Sequence, residues 1–131
     1  NNKIYKFGKW RAPVNHVTIM FKKDSYNSIG GYSDVRNSED WDLLSRMLVN
    51  GYKIKNIPEV LVNVRAGDEL IERRRKIPQF KAEIRLFLRM YKLKYIGVFH
   101  LISNIIIRIS LRILPKFFTS LTYRHALREK L

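Results

Sequence analysis

Apolar positions come in short runs through the first half of the chain and at helical spacing through the second. His16-Val17-Thr18-Ile19-Met20-Phe21 is β-branched and aromatic, lies between Asn15 and Lys22-Lys23, and predicts a buried strand. Tyr52-Lys53-Ile54-Lys55-Asn56-Ile57 alternates polar and apolar as a half-buried strand does, until Pro58 breaks it. Val60 to Val64 predicts a further short strand. Between them Leu43, Leu44, Met47 and Leu48 recur at helical spacing and predict a helix from Glu39 to about Asn50. Ser38 suits its cap, and Gly51 is a natural stop. Asp24 to Ile29 predicts a helical turn, and Gly30-Gly31-Tyr32 a tight turn.

From Asp68 onward the period is helical. Asp68 to about Tyr91 reads as a long basic helix with Pro78 as a kink or break. Tyr95 to Leu114 reads as a second helix, and Lys116 to Leu131 as a third after Pro115. On a helical wheel Val98, Phe99, Ile102, Ile105, Ile106, Ile109 and Ile113 form one apolar face, while His100, Ser103, Asn104, Arg108 and Arg112 gather opposite. The charges keep this segment short of the roughly 20 mostly apolar residues of a spanning helix. Two readings stay open: a helix lying in the headgroup plane of an anionic membrane, or one that packs its apolar face on the rest of the domain. The expected fold class is therefore α/β, a few strands plus a helix over residues 1–66, followed by an all-helical, basic amphipathic region over residues 67–131.

Composition narrows the chemistry. Of 131 residues 46% are hydrophobic, which is enough for a packed core. The absence of cysteine excludes disulfides, cysteine-bound zinc and thiol nucleophiles. The net charge is +15, with fifteen basic and five acidic residues after Ala66 against eleven and six before it. Such a surface attracts nucleic acid, anionic lipid or phosphorylated substrates. No nucleic-acid recognition motif is present, so nucleic acid is not an expected partner. The polar start without Met or signal peptide suggests a piece of a longer chain.

Three carboxylates, Glu39, Asp40 and Asp42, fall within four residues of a basic chain. Such a group serves a divalent metal, a general base acting on a hydroxyl, or simply the positive end of a helix. His16 stands alone in sequence, and the Ser/His/Asp and His/Glu zinc patterns are missing. Arg73-Arg74-Arg75 suits either a solvated face or a diphosphate site.

These segments together resemble the C-terminal half of a family 2 glycosyltransferase of the GT-A fold, of the kind that builds bacterial capsular and exopolysaccharides. The matching pieces are residues 11–23, Gly30-Gly31-Tyr32, Glu39-Asp40-Trp41-Asp42-Leu43 with Arg46, Asn50-Gly51, Asn56-Ile57-Pro58-Glu59, Val64-Arg65-Ala66-Gly67 and Arg73-Arg74. The resemblance implies Asp40 as catalytic base, with Glu39 beside it. It implies substrate-binding roles for His16, Gly30, Gly31, Tyr32, Trp41, Arg73 and Arg74. It also implies a nucleotide-diphospho-sugar donor, a lipid-linked or saccharide acceptor and inverting transfer. A divalent metal, Mg or Mn, is expected, with ligands mainly outside this chain and no metal ligand within it. The setting implied is the cytoplasmic face of the cell membrane, on an anionic surface. The nucleotide-binding strands of that family have no counterpart here, so the chain alone is expected to be inactive, and an incomplete sheet leaves an edge open to a homodimer. The alternative is a non-catalytic basic module that binds anionic membrane or an acidic partner.

Overall fold

The computed structural model describes residues 2–63 and 77–113. In chain order these form α1 (Asn2–Phe7), a 3-10 turn at His16–Thr18, α2 (Lys23–Ser28), α3 (Glu39–Val49), α4 (Ile77–Lys92) and α5 (Val98–Ile113). Among the described residues there is no strand. That corrects the α/β expectation for residues 1–66. The run at residues 16–21 winds into a 3-10 turn and then runs irregularly, and residues 52–57 and 60–63 form no ladder. Met20 is 94% exposed and Val60 87%. β-branched and alternating patterns specify residues that suit a pleated surface, but a strand also needs a neighbour to receive its amides and carbonyls. None of the described segments supplies that neighbour.

α3 is the centre of the molecule. Trp41, Leu43, Leu44, Met47 and Leu48 are buried, and so are the polar Asp42 and Ser45, so the helix is enclosed on nearly every side. Its end follows the sequence closely. Gly51 takes a left-handed φ of 82°, and the Tyr52 N–H donates to the Met47 carbonyl at 3.0 Å, closing the last turn. Its start differs from expectation. Ser38 occupies the cap position and its carbonyl accepts from the Asp42 N–H at 3.0 Å, yet its side chain makes no capping bond. The Asp40 carboxylate instead accepts from the Trp41 N–H at 2.8 Å.

α4 packs on α3 through Ala82, Leu86, Phe87 and Met90. Phe87 meets the Trp41 ring edge-on, with centroids 5.5 Å apart. Pro78 is the second residue of α4 as described, a place where its missing N–H costs no hydrogen bond. The linker after α4 returns Tyr95 and Ile96 to the same core. The Tyr95 hydroxyl donates to the Tyr5 carbonyl at 2.7 Å, tying in α1. The Gly8 carbonyl accepts from the Trp41 indole at 2.8 Å, and any Cβ at Gly8 would strike the Tyr95 hydroxyl. The expected helix over residues 116–131 and the stretch at residues 68–76 lie outside the described residues.

α5 packs with its polar side inward. Asn104 is 1% exposed and donates to the Lys9 carbonyl at 3.0 Å and the His100 carbonyl at 2.8 Å. Arg108 lies over the rings of Trp41 and Phe87, each 5.8 Å away, and donates to the Trp10 carbonyl at 3.3 Å. Arg112 covers Phe80 at 4.6 Å and meets Glu83 at 3.2 Å, and Arg108 approaches the same carboxylate at 3.6 Å. The opposite, isoleucine-rich side faces away from the protein: Phe99 is 73% exposed, Ile106 56% and Ile113 79%. Among the described residues nothing covers most of that face. Among the described residues no helix is long and apolar enough to cross a membrane.

Candidate functional site

The site grows from the turn between α2 and α3. Gly30 and Gly31 both take left-handed φ, 77° and 64°. At Gly31 a Cβ would run into the Tyr26 ring, so both the backbone and the space require glycine. The turn delivers Tyr32 onto an aromatic platform. The Tyr26 hydroxyl accepts from the Tyr32 N–H at 3.1 Å, Tyr26 and Tyr32 meet edge-on at 5.5 Å, and Phe21 stacks on Tyr26 at 5.2 Å. The Tyr32 hydroxyl and His16 Nε2 share a hydrogen bond of 2.9 Å.

Beyond Tyr32 opens a cleft of about 480 Å³ lined by His16, Tyr32, Ser33, Arg36, Asn37 and Glu39. Glu39 faces it from the first turn of α3. Its Oε2 is screened from solvent and has no hydrogen-bond partner. A carboxylate oxygen in that state lacks the bonds water would give it, and a ligand hydroxyl would restore them. Asp40 is not part of the lining, but its charge reaches the cleft. Burial raises the Tyr32 phenol above the ordinary tyrosine value, and neighbouring Tyr26, Asp40 and Glu39 push it the same way. The phenol therefore stays neutral and keeps its hydroxyl available to a bound polar group.

A buried ion cluster holds this wall in place. Asp42 is fully buried and its Oδ2 accepts from Ser33 Oγ at 2.6 Å and Arg46 Nε at 2.9 Å. Arg89 Nε of α4 lies 3.0 Å from the other oxygen. The rest of the Arg46 guanidinium donates to the carbonyls of Ile29 and Gly31, each at 2.6 Å. Arg46 therefore clamps the glycine turn onto α3, and Asp42 clamps Ser33 of the cleft wall.

Among the predicted residues the fold brings together His16, Tyr32 and Glu39, with Gly30 and Gly31 shaping the turn and Asp40 beside the wall. Trp41 is placed elsewhere: its ring is buried against Phe87 and Gly8 and does not line the cleft. Arg73 and Arg74 lie outside the described residues. Ser33, Arg36 and Asn37 line the cleft and were not singled out by sequence reasoning. Asn37 has a readable signal, being a residue type that tolerates the left-handed φ of 68° found just before the helix. The Asp42–Arg46 pair was readable from its four-residue spacing on one helix. The described residues do not form a divalent-metal site by themselves. No group of three or more potential metal-ligating side chains gathers among them, and Asp42 of Asp40-Trp41-Asp42 is engaged by two guanidinium groups.

Comparison with known proteins gives a consistent family signal. Over 128 residues, 98% of its length, the chain is 37% identical to the UDP-Gal:alpha-D-GlcNAc-diphosphoundecaprenol beta-1,3-galactosyltransferase of Escherichia coli, matching 46% of that protein. It is 34% identical over 126 residues to an uncharacterized glycosyltransferase of Haemophilus influenzae, again 46% of that protein. It is 33% identical over 115 residues to the amylovoran biosynthesis glycosyltransferase AmsE of Erwinia amylovora, 43% of it. The chain spans about half the length of the curated relatives it matches. No family model and no solved structure matches it. The chain is thus homologous to bacterial glycosyltransferases, including relatives named for polysaccharide biosynthesis.

Proposed function

We propose that the chain forms the acceptor-binding part of an inverting, family 2-like glycosyltransferase that extends a bacterial surface polysaccharide from a nucleotide-diphospho-sugar. The observation that carries this is the unpartnered Glu39 oxygen on a cleft shared with His16 and Tyr32. One acceptor hydroxyl placed there donates to Glu39 and anchors the ring, which turns a second, attacking hydroxyl toward Asp40. The oxygen of this second hydroxyl attacks the anomeric carbon of the donor sugar, the bond from that carbon to the diphosphate breaks, and the pair of electrons leaves with the nucleoside diphosphate. The hydroxyl proton passes to Asp40, held in the same helical turn by its bond to the Trp41 amide. The neutral Tyr32 phenol and His16 orient the acceptor ring through its remaining hydroxyls. Such an acceptor, saccharide or lipid-linked, presents several hydroxyls at once, which suits a wall of one carboxylate, one phenol and one imidazole.

The test is turnover of the full-length enzyme with nucleotide-sugar donors and a polyprenyl-diphosphate-linked sugar acceptor. Asp40→Asn is expected to lower kcat by about 10²-fold or more and to leave donor affinity unchanged. Glu39→Gln is expected to raise the acceptor KM more than it lowers kcat. Near-normal turnover in Asp40→Asn would remove Asp40 as the base.

A further inference from the structure

The α4–α5 hairpin is built inside out. A helix at the surface of a soluble domain buries its apolar stripe and shows its polar one to water. α5 does the reverse. His100, Asn104, Arg108 and Arg112 are spent on ring faces, backbone carbonyls and Glu83 of the protein itself. Val98, Phe99, Ile102, Ile106, Ile109 and Ile113 form a continuous outward stripe along a helix of 16 residues, roughly 24 Å long. α4 adds outward Ile77, Leu88 and Tyr91 on its side turned from the core.

Charge decides what covers this face. Between residues 77 and 113 the chain carries seven basic residues and a single acid, Glu83. Glu83 is turned inward, with 14% of its side chain exposed. Lys81, Arg85 and Lys92 stand exposed on α4, and Lys94 in the linker, so apolar and cationic groups share an outward surface, while the exposed Asp34 carboxylate that reaches α4 is engaged by Arg89 at 3.2 Å. A second copy of this chain, with its net charge of +15, offers no excess of negative charge to such a surface. An anionic bilayer offers both an apolar layer and phosphates above it.

We propose that the α4–α5 hairpin docks in the plane of an anionic lipid bilayer, with the Phe99–Ile102–Ile106–Ile109–Ile113 stripe of α5 sunk below the headgroups and Lys81, Arg85, Lys92 and Lys94 meeting lipid phosphate. The proposal is independent of the chemistry in the cleft and is tested without turnover.

The full-length protein is floated with vesicles of phosphatidylcholine alone or mixed with phosphatidylglycerol. Binding is expected to the mixed vesicles, weaker by about tenfold or more on phosphatidylcholine alone. The triple variant Ile102→Ser, Ile106→Ser, Ile109→Ser is expected to lose at least about tenfold in binding with its far-UV circular dichroism unchanged. Should that variant fail to fold, a single Ile106→Cys carrying an environment-sensitive fluorophore asks the same question. Its emission is expected to shift to the blue on mixed vesicles, while the same label at Lys53→Cys stays in water. Binding that ignores the isoleucine variant, or a label at position 106 that remains in water, overturns the proposal. So does a dimer in sedimentation that the isoleucine variant dissociates while vesicle binding stays the same, because the stripe then belongs to a second copy.

Discussion

At the scale of single residues, Asp42 and Tyr95 carry more of the fold than their sequence neighbourhoods announce. Asp42 looks like one of three acids placed for the helix dipole, but it is fully buried and sits between two guanidinium groups and a hydroxyl. Asp42→Asn keeps the shape and removes the charge, leaving Arg46 without its carboxylate and Arg89 with Asp34 alone. A loss of about 3–5 kcal/mol in urea unfolding is expected. Tyr95 gives a dependence on pH. Burial, with Tyr5 nearby, pushes its phenol well above the ordinary tyrosine value. The folded protein therefore holds this proton where the unfolded chain has released it. The stabilising contribution is complete below about pH 10 and is lost as the pH rises through the folded value. Tyr95→Phe is expected to be less stable near pH 8 by about 1 kcal/mol, from the lost bond to Tyr5. Its urea midpoint is also expected to fall less steeply than the wild type above pH 10.

At the scale of elements, the amphipathic period of α5 was legible and its orientation was not. The wheel separates isoleucines from arginines, but the separation alone does not say which side meets the protein. The side was chosen by partners distant in sequence: the Lys9 and Trp10 carbonyls, the Phe80 ring and Glu83. The contrast is measurable. Asn104→Ala removes a buried amide from two carbonyls and is expected to cost about 1–2 kcal/mol in thermal or urea unfolding. Ile106→Ser on the outer side is expected to cost less than about 0.5 kcal/mol, the reverse of the usual order for an isoleucine and an asparagine. The three strand assignments failed for a related reason. His16–Phe21 and Tyr52–Ile57 have the right residues for a sheet, but pairing is a property of two segments. α3 succeeded because periodicity, acids at the start and Gly51 at the end are all local signals.

At the scale of the whole molecule, the candidate cleft was partly legible. Glu39, Tyr32, His16 and the glycine pair could be named because turn chemistry and the resemblance both point to them. Ser33 and Arg36 could not, since they join the wall only after Arg46 folds the turn back onto α3. Trp41 shows the opposite error, a large aromatic side chain beside the acids that the helix rotates into the core.

Asp42 sits where these parts meet. One of its oxygens grips Ser33 at the mouth of the cleft, and the other faces Arg89 on the helix that carries the cationic surface. Asp42 thus joins the cleft wall to α4, alongside the Gln79 bond to the Asn37 carbonyl and the Arg89–Asp34 pair. In the proposed docking, a tilt imposed on the hairpin from outside is passed to the cleft wall, so the angle at which the protein rests on its support also sets the direction from which the proposed acceptor enters.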